Sequence, residues 1–166
     1  SQDMVSIRKR PPEAEDRAGR GRWEGDLIEV TRNTYIATLV ERQTRYVLLV
    51  KLRSKKTDEV VRGLSKEIQK LPGELKKSLT WDRGTEMTNH QEFTVATDVP
   101  VYFCDPQSPW QRGSNENSNG LLRQYFPKGT NLHNHDADRL AAVADELNTR
   151  PRKTLSWQTP AARRAD

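Results

Sequence analysis

A single cysteine, Cys104, and three histidines, His90, His133 and His135, are the only thiol and imidazole side chains in this 166-residue chain. One thiol forms no internal disulfide, and a four-cysteine zinc site is excluded. The histidines stand too far from any cysteine for a mixed site and read as surface or loop side chains. Nowhere does an apolar stretch approach the roughly 18–20 residues of a membrane span, and no signal-peptide pattern opens the chain. A soluble, intracellular globular class is therefore expected. Leu, Ile, Val and Phe supply only about a fifth of the residues, close to the level at which disorder becomes an option. They cluster in short periodic runs, however, and the length suits one domain with a core.

Charge is plentiful and unevenly placed. The net charge is +5 and the pI about 9.5. Residues 1–22 hold six basic and four acidic groups, and residues 150–166 hold five and one, which leaves the body near neutrality. Basic ends suit phosphate contacts or simple solvation, while a neutral body can hold a carboxylate cluster.

The first 22 residues contain Pro11-Pro12 and scattered apolar groups, and read as a basic linker or arm. From Trp23 the runs WEGDLIEV, TYIATLVE and RYVLLVKL are separated by Thr31-Arg32-Asn33 and Arg42-Gln43-Thr44, so a three-stranded antiparallel meander is expected over 23–52. The period then changes. Val60, Val61, Leu64, Ile68 and Leu71 form a helical stripe after Thr57, ended by Pro72-Gly73. SLTWD predicts a strand ending at Asp82, Asn89–Ala96 a weaker helix, and VPVYFC a further strand. Helices follow over 114–126, stopped by Pro127, and over 136–149, with Leu140, Val143, Ala144 and Leu147 on one face. Three antiparallel strands followed by alternating helices and strands imply an α/β domain with a mixed sheet.

Three carboxylates stand out. Asp26 shares a strand face with Ile28 and Val30, where a charge is costly unless paired or metal-bound. Asp82 closes a strand, the location at which ligand sites form in open α/β sheets. Glu116 lies in the first turn of a helix, where the dipole favours it. Each alone is open to a bland reading, as an ion pair, a turn or a helix-end charge. Three acids at the ends of different elements are harder to dismiss.

The segments SLTWDRGTEM, VYFCDPQSPWQRGSNENSNGLLRQYFPKGT and RPRKTLSWQTPA, with WEGDLIEV and LVERQTRYVLLVKL, resemble insertion-sequence transposases of the IS-thirty type. The resemblance covers about residues 20–163 and predicts a core over 23–163, with 164–166 as a C-terminal end. It implies a DDE transposase catalytic domain with an RNase H-like fold similar to the retroviral integrase core. Between Asp82 and Glu116 lie residues 83–115, the interval expected for this type. Asp26, Asp82 and Glu116 are then the catalytic triad, with Asp26 bridging two Mg²⁺ ions (Mn²⁺ as a substitute), Asp82 on one and Glu116 on the other. The partner implied is DNA, both element ends and target, handled by a homo-oligomer in a synaptic complex. No membrane and no small-molecule substrate is expected, and the setting is the bacterial cytoplasm and nucleoid.

The chain departs from the family pattern at two places. The hairpin after Asp26 lacks the glycine-rich turn expected, and Arg83 stands where glutamine is more usual. A guanidinium there either opposes cation binding or contacts phosphate. No counterpart of the family's helix-turn-helix region is present, so a catalytic domain by itself is expected. Asn119, Gly120 and Arg123 share the helix face of Glu116. Asn119 would orient Glu116 or a phosphate, and Gly120 serves close backbone approach or helix–sheet packing. Leu121, Leu122, Tyr125 and Phe126 read as core, and Trp110 walls the site or packs beneath it. Candidate DNA contacts are Arg83, Arg112, Asn119, Arg123, Lys128, Arg150, Arg152 and Lys153, with Arg8, Lys9 and Arg10 in the arm. A nuclease that only hydrolyses and a non-catalytic DNA-binding or assembly module are the rival readings.

Overall fold

A computed structural model describes residues 5–6, 19–81, 87–104, 113–132, 136–150 and 159–165, with backbone alone at 5–6, 113–118, 136, 163 and 165. The expected meander is present as β2 (Arg22–Thr31), β3 (Thr34–Glu41) and β4 (Val47–Leu52), after a two-residue β1 (Val5–Ser6). Helix α1 (Thr57–Ile68) leads to β5 (Ser78–Trp81), α2 (His90–Thr97) and β6 (Val101–Phe103). Then come α3 (Gly113–Tyr125), α4 (Asp136–Thr149) and α5 (Pro160–Ala165). The six strands form one mixed sheet in the order β1-β6-β5-β2-β3-β4. Pairs β2–β3 and β3–β4 are antiparallel, whereas β2–β5, β5–β6 and β1–β6 are parallel.

Period-two alternation sends the two sides of β2 into two separate cores. On one face Trp23, Ala37, Leu39, Leu79, Trp81 and Phe103 pack with Val60, Leu64 and Ile68 of α1 and Phe93 of α2. On the other, Ile28, Val30, Ile36, Val40 and Val47 pack with Leu122 and Phe126, and with Leu140, Val143 and Leu147 of α4. Burying each such large side chain is worth roughly 1.5–3 kcal/mol. Gly25 lies directly beneath Trp81, and a methyl group at this position would overlap the indole ring.

The hairpin lacking glycine turns at Arg32-Asn33, where Asn33 takes the left-handed φ of 63°. Asparagine tolerates that conformation because its short polar side chain bonds locally. The next turn is organised by Glu41, a carboxylate only 2 % exposed. It accepts hydrogen bonds from Gln43 N (2.9 Å), Thr44 N (2.7 Å), Thr44 Oγ1 (2.9 Å) and Gly21 N (3.2 Å). Four donors offset the cost of burying its charge.

Several expectations need adjustment. Helix α1 ends at Ile68 rather than Leu71. The chain tightens there, with Leu71 N donating to Ile68 O (3.0 Å), and Leu71 stays buried. Helices α2 and α3 are each displaced by one residue from the expected spans, and β6 is three residues rather than six. Strand β2 starts at Arg22, preceded by buried Gly21, whose carbonyl accepts from Lys77 N and Ser78 N. Within the expected arm, Val5 and Ser6 pair with Tyr102 and Phe103 as an edge strand. Neither β1 nor α5 was anticipated.

Candidate active site

Asp26 stands in the middle of β2, not at its end, half-buried on the face covered by α3 and α4. Its partners across the hairpin and above the sheet are specific. Leu27 N donates to Asp26 Oδ1 (2.8 Å), and Asn119 Nδ2, reaching down from α3, donates to Oδ2 (3.0 Å). Thr38, opposite Asp26 in the β2–β3 register and 1 % exposed, donates its hydroxyl to Asn119 Oδ1 (3.0 Å). Thus Asn119 orients Asp26, a partner not among those expected for it from the sequence.

Glu116 belongs to α3, one helical turn before Asn119. Asp82 follows Trp81, the last residue of β5, and lies outside the described residues, as do Arg83, Trp110, Arg112, Arg152, Lys153 and the arm residues Arg8, Lys9 and Arg10. Among the described residues no group of three or more His, Cys, Asp or Glu side chains is gathered for a metal ion.

The described candidates for phosphate contact have local partners. Arg123 donates to two backbone carbonyls, Glu29 O (2.8 Å) and Phe126 O (3.4 Å), tying the end of α3 to β2. Lys128 is exposed and, with Arg32 and Arg123, lines a cavity of about 540 Å³ beside the end of β2. Next to it Gly129 N donates to Val30 O (2.6 Å). Arg150 donates to Tyr125 OH (3.3 Å). A hydrogen bond to Glu146, burial and the Glu146 charge push the Tyr125 phenol above its usual range, against the opposing pull of Arg150.

Two readings are corrected. Gly120 is exposed, and among the described residues nothing lies within 4 Å of where its Cβ would be, so it does not serve helix–sheet packing. His90 is buried, not a surface residue: it opens α2 and its ring sits edge-on to Phe103, 5.3 Å between centroids. His133 and His135 lie outside the described residues. Leu122 and Phe126 are fully buried and Leu121 and Tyr125 partly so, as expected.

Thr38 was missed by sequence reasoning, although a hydroxyl between Ile36 and Val40 on one strand face was a readable signal. Asn148 was missed too. It is 3 % exposed and bonds both backbone groups of Val47, accepting from N (2.8 Å) and donating to O (2.9 Å), which closes that part of the β4 edge.

Residues 16–109 match the integrase core domain family. The chain is 55 % identical over 154 residues to the transposase InsI of insertion sequence element IS30A from Escherichia coli, covering 93 % of this chain and 40 % of that protein. It is 53 % identical over 159 residues to the transposase of IS1086 from Cupriavidus metallidurans, covering 95 % and 47 %. The chain therefore spans less than half the length of these relatives. Among solved structures, the catalytic core of BIV integrase superposes with a TM-score of 0.66 at 18 % identity, over 87 % of this chain and 93 % of that one. A chain of the simian T-cell lymphotropic virus intasome does so with a TM-score of 0.70 at 18 % identity, over 89 % and 55 %. The shared fold is RNase H-like, as the motifs implied. No helix among the described residues is long and apolar enough to cross a membrane. With more than half of its length matched and its sheet built in the same way, the chain belongs to the integrase core domain family.

Proposed function

We propose that this chain is the catalytic domain of a DDE transposase, which nicks DNA at the ends of an insertion sequence and joins the freed 3′-hydroxyl to target DNA. The observation that carries this reading is Asp26, a half-buried carboxylate held on the sheet face beneath the helix to which Glu116 belongs. Strand β5, whose last residue precedes Asp82, is the neighbour of β2 on the side away from β3. Similarity to transposases over nearly the whole chain supports the same assignment.

Asp26, Asp82 and Glu116 are the proposed ligands for divalent cations. The fit rests on donor chemistry: Asp26 offers carboxylate oxygen, the ligand type of a hard cation such as Mg²⁺ or Mn²⁺, and Asn119 Nδ2 orients it. Two such ions, when bound, would activate the nucleophile and stabilise the leaving oxygen. In the first step, water oxygen bonds to phosphorus as the P–O3′ bond breaks, and the departing 3′-oxygen takes a proton. In the second, that 3′-hydroxyl bonds to a target phosphorus, releasing the target's own 3′-oxygen. No side chain forms a covalent intermediate.

DNA backbone would run along β2 toward the hairpin end. Four residues from Asp26 to Val30 measure about 13 Å at strand rise, which sets the Arg32–Lys128 cavity a few phosphates from the scissile bond. Arg83, Arg112, Arg123, Arg150, Arg152, Lys153 and the arm residues Arg8, Lys9 and Arg10 are further proposed phosphate contacts, with Asn119 beside the scissile group. Handling two element ends calls for a homo-oligomer, acting on the nucleoid in the bacterial cytoplasm.

The test is Mg²⁺-dependent cleavage of element-end duplex by Glu116→Gln, followed by strand transfer from pre-nicked ends. Cleavage falling roughly a thousandfold or more in a folded variant is expected. Near-normal cleavage would sink the assignment, and wild-type hydrolysis without strand transfer would reduce the chain to a nuclease.

A further inference from the structure

We infer that Thr38 and Asn119 are positioning residues, a hydrogen-bonded relay that holds the Asp26 carboxylate in one orientation and sets α3 against β2. The inference rests on the reading of Asp26 as a cation ligand. Three residues from three elements meet here: Asp26 on β2, Thr38 opposite it on β3, and Asn119 on α3. An amide can face its neighbours in two ways, and the surroundings choose between them. Thr38 Oγ1 donates to Asn119 Oδ1 (3.0 Å), which turns the Nδ2 group toward Asp26 Oδ2 (3.0 Å). The reverse orientation would set amide oxygen against carboxylate oxygen. With Leu27 N donating to Oδ1 (2.8 Å), each carboxylate oxygen has a donor, and together they set the side chain's orientation.

Thr38 is almost wholly buried, so its hydroxyl donates within this cluster rather than to bulk water. Asn119 lies three residues after Glu116 on α3, the spacing that returns to the same helix face. One amide therefore couples the strand carrying the first acid to the helix carrying the third. Partners of this kind, which touch a ligand rather than the metal, typically change metal affinity by roughly 10–100-fold when removed.

The measurement is Mn²⁺ binding by calorimetry on the whole chain, with thermal melts of each protein. Thr38→Val keeps shape and removes the donor, and Asn119→Ala removes the bridge at a half-exposed position. Mn²⁺ affinity about tenfold weaker is expected for Thr38→Val and roughly 10–100-fold weaker for Asn119→Ala. Thr38→Ser, which restores the hydroxyl, should recover most of the affinity. A purely structural threonine would instead move the melt and leave Mn²⁺ affinity alone. Asp26→Asn losing Mn²⁺ binding while Thr38→Val and Asn119→Ala stay within twofold of wild type overturns the relay alone. Asp26→Asn binding as tightly as wild type overturns the metal-site reading and the relay with it. Loss in Asn119→Ala without loss in Thr38→Val removes Thr38 from the relay.

Discussion

The two faces of the sheet are built from the same strands and do opposite things. Under α1 and α2 the contacts are apolar and close enough that Gly25 leaves no room for a methyl group below Trp81. Under α3 and α4 the apolar cluster stops short of Asp26, and Thr38 and Asn119 fill the gap with hydrogen bonds. Alternation along β2 makes the division possible: odd residues from Trp23 to Leu27 face α1 and α2, and even residues from Asp26 onward face α3 and α4, Asp26 in the site and Ile28 and Val30 in the second core. On the first face the buried carboxylate, Glu41 opposite Trp23, is tied down by four donors and fixes a turn. On the second, Asp26 is held ready, at the cost of hydrophobic burial.

Breaking each face should therefore give a different phenotype. The largest effect is expected from Asp26→Asn and Asp82→Asn, each losing roughly a thousandfold or more in cleavage with the melt little changed. Combined with Glu116→Gln they should add little, because residues acting as one unit are non-additive. Single-turnover cleavage and calorimetric melts, taken together, check both statements.

On the apolar face, Gly25→Ala should destabilise the fold by roughly 1–3 kcal/mol or more, since the Trp81 ring has to move. Gly120→Ala, at an exposed helical position with open space around it, should stabilise by about 0.5–1 kcal/mol. Denaturant unfolding of the two variants contrasts a glycine required for packing with one that is not. Opposite signs are predicted, and equal signs would remove the distinction.

Smaller effects concern the rim of the polar face. Lys128→Gln and Arg32→Gln should each reduce the slope of log affinity against log salt by about 0.9 on duplex DNA, nearly independently of sequence. The smallest is at Tyr125. Its folded pKa is raised, so the stabilisation associated with the protonated phenol is present below the ordinary tyrosine range and is lost as pH rises through the folded value. The wild-type absorbance titration minus that of Tyr125→Phe should isolate one phenol ionising above about pH 10.

How much of this was readable beforehand differs between the faces as well. Runs such as TYIATLVE and the stripe Val60-Val61-Leu64-Ile68 announced the meander and α1, because long periodic segments outvote local detail. β1 was not legible, since two residues carry no period and their partner is almost a hundred residues away. α5 does carry a sequence signal: Thr159 before Pro160 is a cap-and-first-position pair, and Thr159 Oγ1 accepts from Ala162 N (3.0 Å). His90 looked like a loop residue because its burial comes from Phe103 on a strand met only after folding. Asp26 was visible as a charge on an apolar face, whereas the Thr38–Asn119 pair that holds it joins residues 81 apart in sequence. Charge out of pattern can be read along the chain; the partners that make it tolerable are set by topology.

The polar face can be interrogated most directly by an anomalous difference map from crystals of the chain soaked in Mn²⁺. Density for Mn²⁺ is predicted within bonding distance of Asp26 oxygens, with Asp82 and Glu116 completing the ligand set and Asn119 still donating to Asp26. Fully occupied Mn²⁺ elsewhere in the molecule, with none against Asp26, would contradict the assignment of the α3-side face as the catalytic centre.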